Sequence, residues 1–159
     1  MKKTLGWLLV CLLPFSVVIA SPQEEANAIL KTFVAIEKSK NELNIKNKTL
    51  SDGTMISFWS NKAQLKKLVI QSKDEFGKTA DHYYFESGAL ILCRSIHDYY
   101  PLDAKGQQSS ELKTDKHFLL YKQAELIKPN ADAPSNQAYV DLGIEKRNTL
   151  INYLTKVSR

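Results

Sequence analysis

Cysteine is nearly missing from this chain, which has two, Cys11 and Cys93. Cys11 falls in an apolar leader, so once that leader is removed Cys93 has no partner and no intrachain disulfide can form. The fold must then stand on its apolar core. Histidine is also sparse. His82, His97 and His117 are scattered, and no H-x-H, H-E-x-x-H or C-x-x-C spacing occurs, so neither a metal site nor a cofactor is expected. Only six glycines are present, with no G-x-x-x-x-G-K loop to cradle phosphate and no G-x-S-x-G elbow to expose a nucleophile. A concentrated charge of one sign is missing too. The 22 basic and 17 acidic side chains are interspersed, which leaves no footprint for nucleic acid or an anionic membrane. The carboxylate pairs Asp74-Glu75 and Glu24-Glu25 sit in a loop and at a helix start, where solvent and the helix dipole account for them.

A long hydrophobic run occurs once. Met1-Lys2-Lys3 precedes the apolar stretch Leu5 to Ile19, and Val18-Ile19-Ala20 ends in a small residue before Ser21. That is the pattern of a signal peptide over 1–20. Pro14 interrupts the run, and it is shorter than the roughly 20 apolar residues that span a bilayer. Cys11 offers a lipoprotein alternative, but Val10 stands where such signals place a small residue. Cleavage after Ala20 leaves a single domain over 21–159, with no membrane span in the mature chain. Loss of Lys2 and Lys3 lowers the formal charge from +5 to +3. The compact double-lysine leader points to a bacterial protein, periplasmic or secreted.

What remains reads as α+β. Ser21-Pro22-Gln23-Glu24 carries the signals of a helix start, and Ala26, Ile29, Phe33, Ile36 and Leu43 make one helical stripe ending near Asn44. Asn47 to Gly53 reads as a polar turn. Strands are expected at Thr54–Ser60, with Ile56 and Phe58 on one face and Met55 and Trp59 on the other, and at Leu65–Ser72. A hydrophilic loop follows, with Phe76 as its one buried-looking residue. From Asp98 to Lys116 the pattern dissolves into a long loop. His117–Tyr121 and Ala124–Lys128 resume strand, and Pro129–Pro134 reads as a linker. A last helix runs from about Gln137 to Val157 on Tyr139, Leu142, Leu150, Leu154 and Val157. Gly143 weakens this helix by about 1 kcal/mol relative to Ala, which suggests a close contact there. Helices at both ends and strands between predict an antiparallel meander of five or six strands packed against an N-terminal and a C-terminal helix, both on one face.

The centre of that sheet is Asp81–Ile96, where two aromatic and β-branched runs flank Ser87-Gly88. A two-residue turn would pair Glu86 with Ala89, Phe85 with Leu90, Tyr84 with Ile91, Tyr83 with Leu92 and His82 with Cys93. A slip of one residue would exchange the faces. The phrase also recurs: His82–Ile91 is echoed at His117–Ile127 and more faintly at Ile56–Leu65, as a repeated hairpin would be. The YYF-x-x-G-x-L phrase resembles hairpins of small exported bacterial proteins and, loosely, the strand units of MORN-type repeats. The resemblance covers about a dozen residues, without the regular glycines of MORN arrays, and implies fold alone.

Function follows by weighing what chemistry is left. His82 opposite Cys93 would be the pair of a cysteine-dependent hydrolase or transferase, yet a mid-strand Cys among aliphatics is more often an inert packing residue. Aromatics with one polar end suit recognition, and Tyr99-Tyr100-Pro101 opens the long loop. The leading expectation is a non-catalytic binding or accessory protein, an inhibitor included, of an envelope or protein partner. Tyr99 and Tyr100, with Tyr83 and Tyr84 beside them, would form its contact surface. A cysteine enzyme built on Cys93 and His82, or a self-associating structural subunit, are the alternatives.

Overall fold

The computed structural model describes residues 21–123, 125–127 and 137–157. The expected leader at 1–20 and the linker at 129–134 lie outside the described residues. Ser21 caps the first helix, α1 (Pro22–Ser39), with the reciprocal bonds its sequence signals: the Glu24 backbone N–H donates to Ser21 Oγ and Glu24 Oε2 accepts from the Ser21 N–H. A 3₁₀ turn, Lys40–Glu42, ends it.

Seven antiparallel strands follow in chain order: β1 (Asn44–Thr49), β2 (Met55–Asn61), β3 (Gln64–Lys73), β4 (Gly77–Glu86), β5 (Ala89–Tyr99), β6 (Lys113–Lys122) and β7 (Glu125–Ile127). The last helix, α2, is Gln137–Val157. The expected α+β meander is therefore present, with seven strands in place of five or six. The extra strand is β1, half of which lies in what reads as a polar turn. Its sequence NIKNKT is exposed at every position, as suits an edge strand, where lysines discourage further pairing. The long loop is shorter than its composition suggests, because β5 runs to Tyr99 and β6 begins at Lys113.

The helices do not share a face, which corrects the expected arrangement. Both faces of the central strands are apolar, and one helix covers only one of them. Tyr83, Phe85, Cys93, Leu119 and Tyr121 pack with Leu150, flanked by Tyr139, Leu142 and Leu154 of α2. On the other side Tyr84, Ile91 and Leu92 pack with Ile36, Ile29 and Phe33 of α1. Both apolar stripes read from the helices thus point at the sheet.

A bulge sets these faces. Ser87 and Gly88 both have positive φ, at 50° and 83°, the primed turn that matches strand twist. Glu86 pairs with Ala89 and Phe85 with Leu90 as expected, but Ile91 is then an extra residue, so Tyr84 faces Leu92, Tyr83 faces Cys93 and His82 faces Arg94. The same irregularity recurs in the preceding hairpin, where Ser60 pairs with Leu65, Trp59 with Lys67, and Lys66 is extra. Lys62 and Gln123 open the sister turns at φ 53° and 49°. The repeat legible in the sequence is a repeated hairpin, and in the first two copies a repeated bulge as well.

Each helix is pinned to the sheet by an ion pair, buried under α2 and part-buried under α1. Lys146 Nζ of α2 lies 3.1 Å from Asp81 Oδ2, while Ser95 Oγ donates to Asp81 Oδ1 at 2.6 Å. Burial pulls the Lys146 amine down, but Asp81 outweighs it and the amine titrates above its usual range. The Tyr83 hydroxyl donates to the Lys146 carbonyl and the Tyr121 hydroxyl to the Gly143 carbonyl. Gly143 is the expected close contact, since a Cβ there would stand 2.8 Å from two Leu126 methyls. On the other face Lys67 Nζ meets Glu37 Oε1 at 2.6 Å, and the Tyr84 hydroxyl donates to the same oxygen at 2.8 Å. Burial would raise the Glu37 carboxyl, yet Lys67, Tyr84 and Lys40 hold it below its ordinary value.

Candidate functional site

The far end of the sheet, away from the hairpin turns, carries the loops that join β3 to β4 and β5 to β6. Two aspartates order them. Asp74 Oδ1 accepts from the Phe76 and Gly77 N–H groups, and Asp103 Oδ1 accepts from those of Lys105 and Gln107. The Tyr100 N–H donates to the Phe76 carbonyl and the Ser109 N–H to the Pro101 carbonyl. Leu102 and Gln108 form an isolated bridge. Gly77 fits where no other residue would, because a Cβ there would lie 2.1 Å from the Asp98 carbonyl oxygen.

These bonded loops hold four large apolar side chains in water. Phe76 is 53% exposed, Tyr100 40%, Leu102 58% and Leu112 51%. Tyr100 and Leu112 line a shallow pocket with Lys73, Asp74, Lys78 and Asp98. Phe76 is therefore not the buried residue its surroundings suggested. It sits past the end of the sheet, where neither helix covers it.

The residues singled out from the sequence divide sharply. Tyr100 is exposed at this end, and Tyr99 beside it is partly covered, its ring stacked on His97 at 4.9 Å. The neighbouring Asp115 pushes the Tyr99 phenol upward. Tyr83 and Tyr84 belong elsewhere. Both are 0% exposed, under α2 and α1 respectively, so no partner reaches their rings. Burial raises both phenols. Their hydroxyls are spent on Lys146 and Glu37.

His82 and Cys93 do not meet. The bulge at Ile91 moves them out of register, and they point to opposite faces of the sheet. Cys93 is fully buried, and its thiol is raised well above its ordinary value by burial and by Asp81, the reverse of what a nucleophile needs. His82 is pushed down to about 4 by burial, then by Lys67 and Arg94. Its Nδ1 is buried with no hydrogen-bond partner among the described residues. Among those residues no cluster of His, Cys, Asp or Glu has the arrangement to hold a metal, and no helix is long and apolar enough to cross a membrane.

Leu102 and Leu112 escaped notice, and Phe76 reads as buried, because each stands nearly alone among polar neighbours. That isolation was itself the available signal, since a loop has no interior in which to hide a large side chain. No family model, no curated protein and no solved structure matches the chain. The likeness to MORN-type units thus rests on the strand–turn–strand phrase alone.

Proposed function

We propose that this chain is an exported, non-catalytic binding or accessory protein of the bacterial envelope, and that it meets its partner at the loop end of the sheet. The observation that carries the reading is the group Phe76, Tyr100, Leu102 and Leu112, held in solvent by loops that hydrogen bonds order. Apolar side chains on ordered loops bind with little ordering cost, and Tyr suits such a surface because its ring buries while its hydroxyl stays wet. The separation of His82 from Cys93 removes the support for cysteine chemistry and favours binding over catalysis.

The test is capture from envelope extract by the immobilised protein and by a variant carrying Tyr100→Ser, Leu102→Ser and Leu112→Ser. The variant is expected to lose the specific partners at an unchanged melting temperature, because these side chains contribute little to the core. An unchanged captured set would refute the assignment of the surface. Export is tested separately: protein recovered from the periplasm or medium is expected to begin at Ser21, and a chain retained in the cytoplasm at full length would refute it.

A further inference from the structure

Neither helix covers the whole of its face: toward the loop end Ser72, His97 and Asp115 are exposed on the α2 side, and Gln71, Lys78 and Lys116 on the α1 side. α1 crosses the strands near the hairpin turns, from β6, where Glu25 pairs with Lys122, to β3, where Glu37 pairs with Lys67. Its Thr32 and Ser39 flank faces the turns, against Lys66 and Glu86. The opposite flank, with Leu30 and Val34 exposed, borders the rest of the face. There the cross-strand row Val69–His82–Arg94–Phe118 runs along the edge of α1, where the Phe33 ring meets Phe118 at 6.2 Å, and the rows Gln71–Ala80–Ile96–Lys116, then Lys73–Lys78–Asp98, lie beyond the helix.

We propose that this uncovered half is a docking groove for an acidic amphipathic helix of a partner protein, lying alongside α1. The proposal rests on the binding reading above and extends its surface, since Lys73, Lys78 and Asp98 border both the loop-end pocket and the groove. Size comes first. From the Arg94 row to the Asp98 row is four residues of strand, about 13 Å at about 3.3 Å each, and a helix with its side chains is about 10–12 Å across. Five strands, β2 to β6, at about 4.8 Å spacing give a length of about 19 Å, or about 13 helical residues.

Chemistry comes second. The floor offers Met55, Ala80, Ile96 and the half-exposed Phe118 to an apolar stripe. Around them stand Lys73, Lys78, Arg94 and Lys116, none in a salt bridge among the described residues, against one acid, Asp98, which accepts from Thr114. The Arg94 guanidinium rests over the Phe118 ring at 5.9 Å, and its Nε is buried with no hydrogen-bond partner among the described residues. A partner carboxylate would pair with the rest of the guanidinium. Shape decides against a lipid surface: α1 stands roughly 10 Å above the sheet, so a flat bilayer resting on it would not touch Ile96 or Ala80, whereas a second helix fits beside the first.

The test titrates the protein with two 14-residue amphipathic helical peptides of equal hydrophobicity, one with Glu and one with Lys on the polar face, and with anionic phospholipid vesicles. Methyl NMR of Met55, Ala80 and Ile96 locates binding. The Glu peptide is expected to bind saturably and shift those methyls, with affinity falling at least tenfold in Lys78→Glu/Lys116→Glu and in Arg94→Gln. The two lysines are fully exposed, so their reversal leaves folding intact even where Arg94→Gln does not. Equal binding of both peptides, vesicle binding without peptide binding, or a dimer of the protein alone that the lysine reversal dissolves would each overturn the proposal. If envelope capture still depends on Tyr100 and Leu112 while the Glu peptide leaves Ile96 unmoved, the groove fails and the loop-end reading stands.

Discussion

The α2 face and the α1 face are built from alternate residues of the same strands, and both open toward the loop end, but onto different chemistry: Ser72, Thr79, His97 and Asp115 on the α2 side, Ala80, Ile96, Lys78 and Lys116 on the α1 side. α2 runs from β7 toward β1, where Lys48 Nζ donates to the Val157 carbonyl, and Leu126, Tyr121, Tyr83 and Ile56 all lie in its shadow. α1 covers the hairpin half of its face and stops. The difference shows in the ion pairs. Asp81 and Lys146 have side chains 5% and 11% exposed, whereas Glu37 opposite Lys67 is 26% exposed. A deeply buried pair puts its charges where loss of a partner is costly; a part-exposed one keeps water near enough to soften the loss.

Substitutions sharpen that contrast. Asp81→Ala leaves the buried Lys146 ammonium with Glu145 alone, at 3.4 Å, and strands a buried Ser95 hydroxyl, and is expected to cost about 3 kcal/mol in urea unfolding. A loss below that of Lys67→Ala would break the comparison. Gly77→Ala drives a methyl into the Asp98 carbonyl, which belongs to the backbone of the central hairpin, and about 1–3 kcal/mol of destabilisation is expected. Gly143→Ala meets only the methyl ends of Leu126. There the gain in helix propensity of about 1 kcal/mol offsets much of the crowding, and a smaller change is expected in the same assay. The α1 face should also be the more sensitive to acid. The unfolded chain takes up a proton at His82 near its ordinary value of 6.5, but the folded chain only near about 4. Between those values protons favour the unfolded state, so stability is full above the upper value and declines as pH falls to the lower one. His82→Gln is expected to flatten that part of the stability–pH curve. An unchanged slope would mean that His82 is hydrated and not held neutral by the fold.

Much of this was legible before any coordinates. The Ser21 cap, both helical stripes, the Ser87-Gly88 turn and the role of Gly143 follow from local periodicity and turn chemistry. What was not legible depends on geometry across strands. A bulge is one extra residue, and nothing in LILC distinguishes Ile91 from its neighbours, so the register beyond Leu90 was off by one and His82 was set against Cys93. Strand β1 was hidden because an exposed edge needs no apolar alternation, and NIKNKT has none. Placing Tyr83 and Tyr84 on a binding surface failed for a related reason. Adjacent strand residues point to opposite faces, and both faces here carry a helix over that point. The opposite placement of α1 and α2 is a tertiary choice that no single segment encodes.

The account turns on the open half of the α1 face and the adjoining loop end being a recognition surface, while the α2 face serves only the fold. The most direct measurement compares charge reversals on the two faces: Lys78→Glu/Lys116→Glu in the groove, and Lys113→Glu, which pairs with Tyr99 on the other face, each assayed for partner capture from envelope extract and for melting temperature. The account predicts that the groove variant loses its partners with melting unchanged and that Lys113→Glu keeps them. Capture lost equally from both, or from neither, would contradict it.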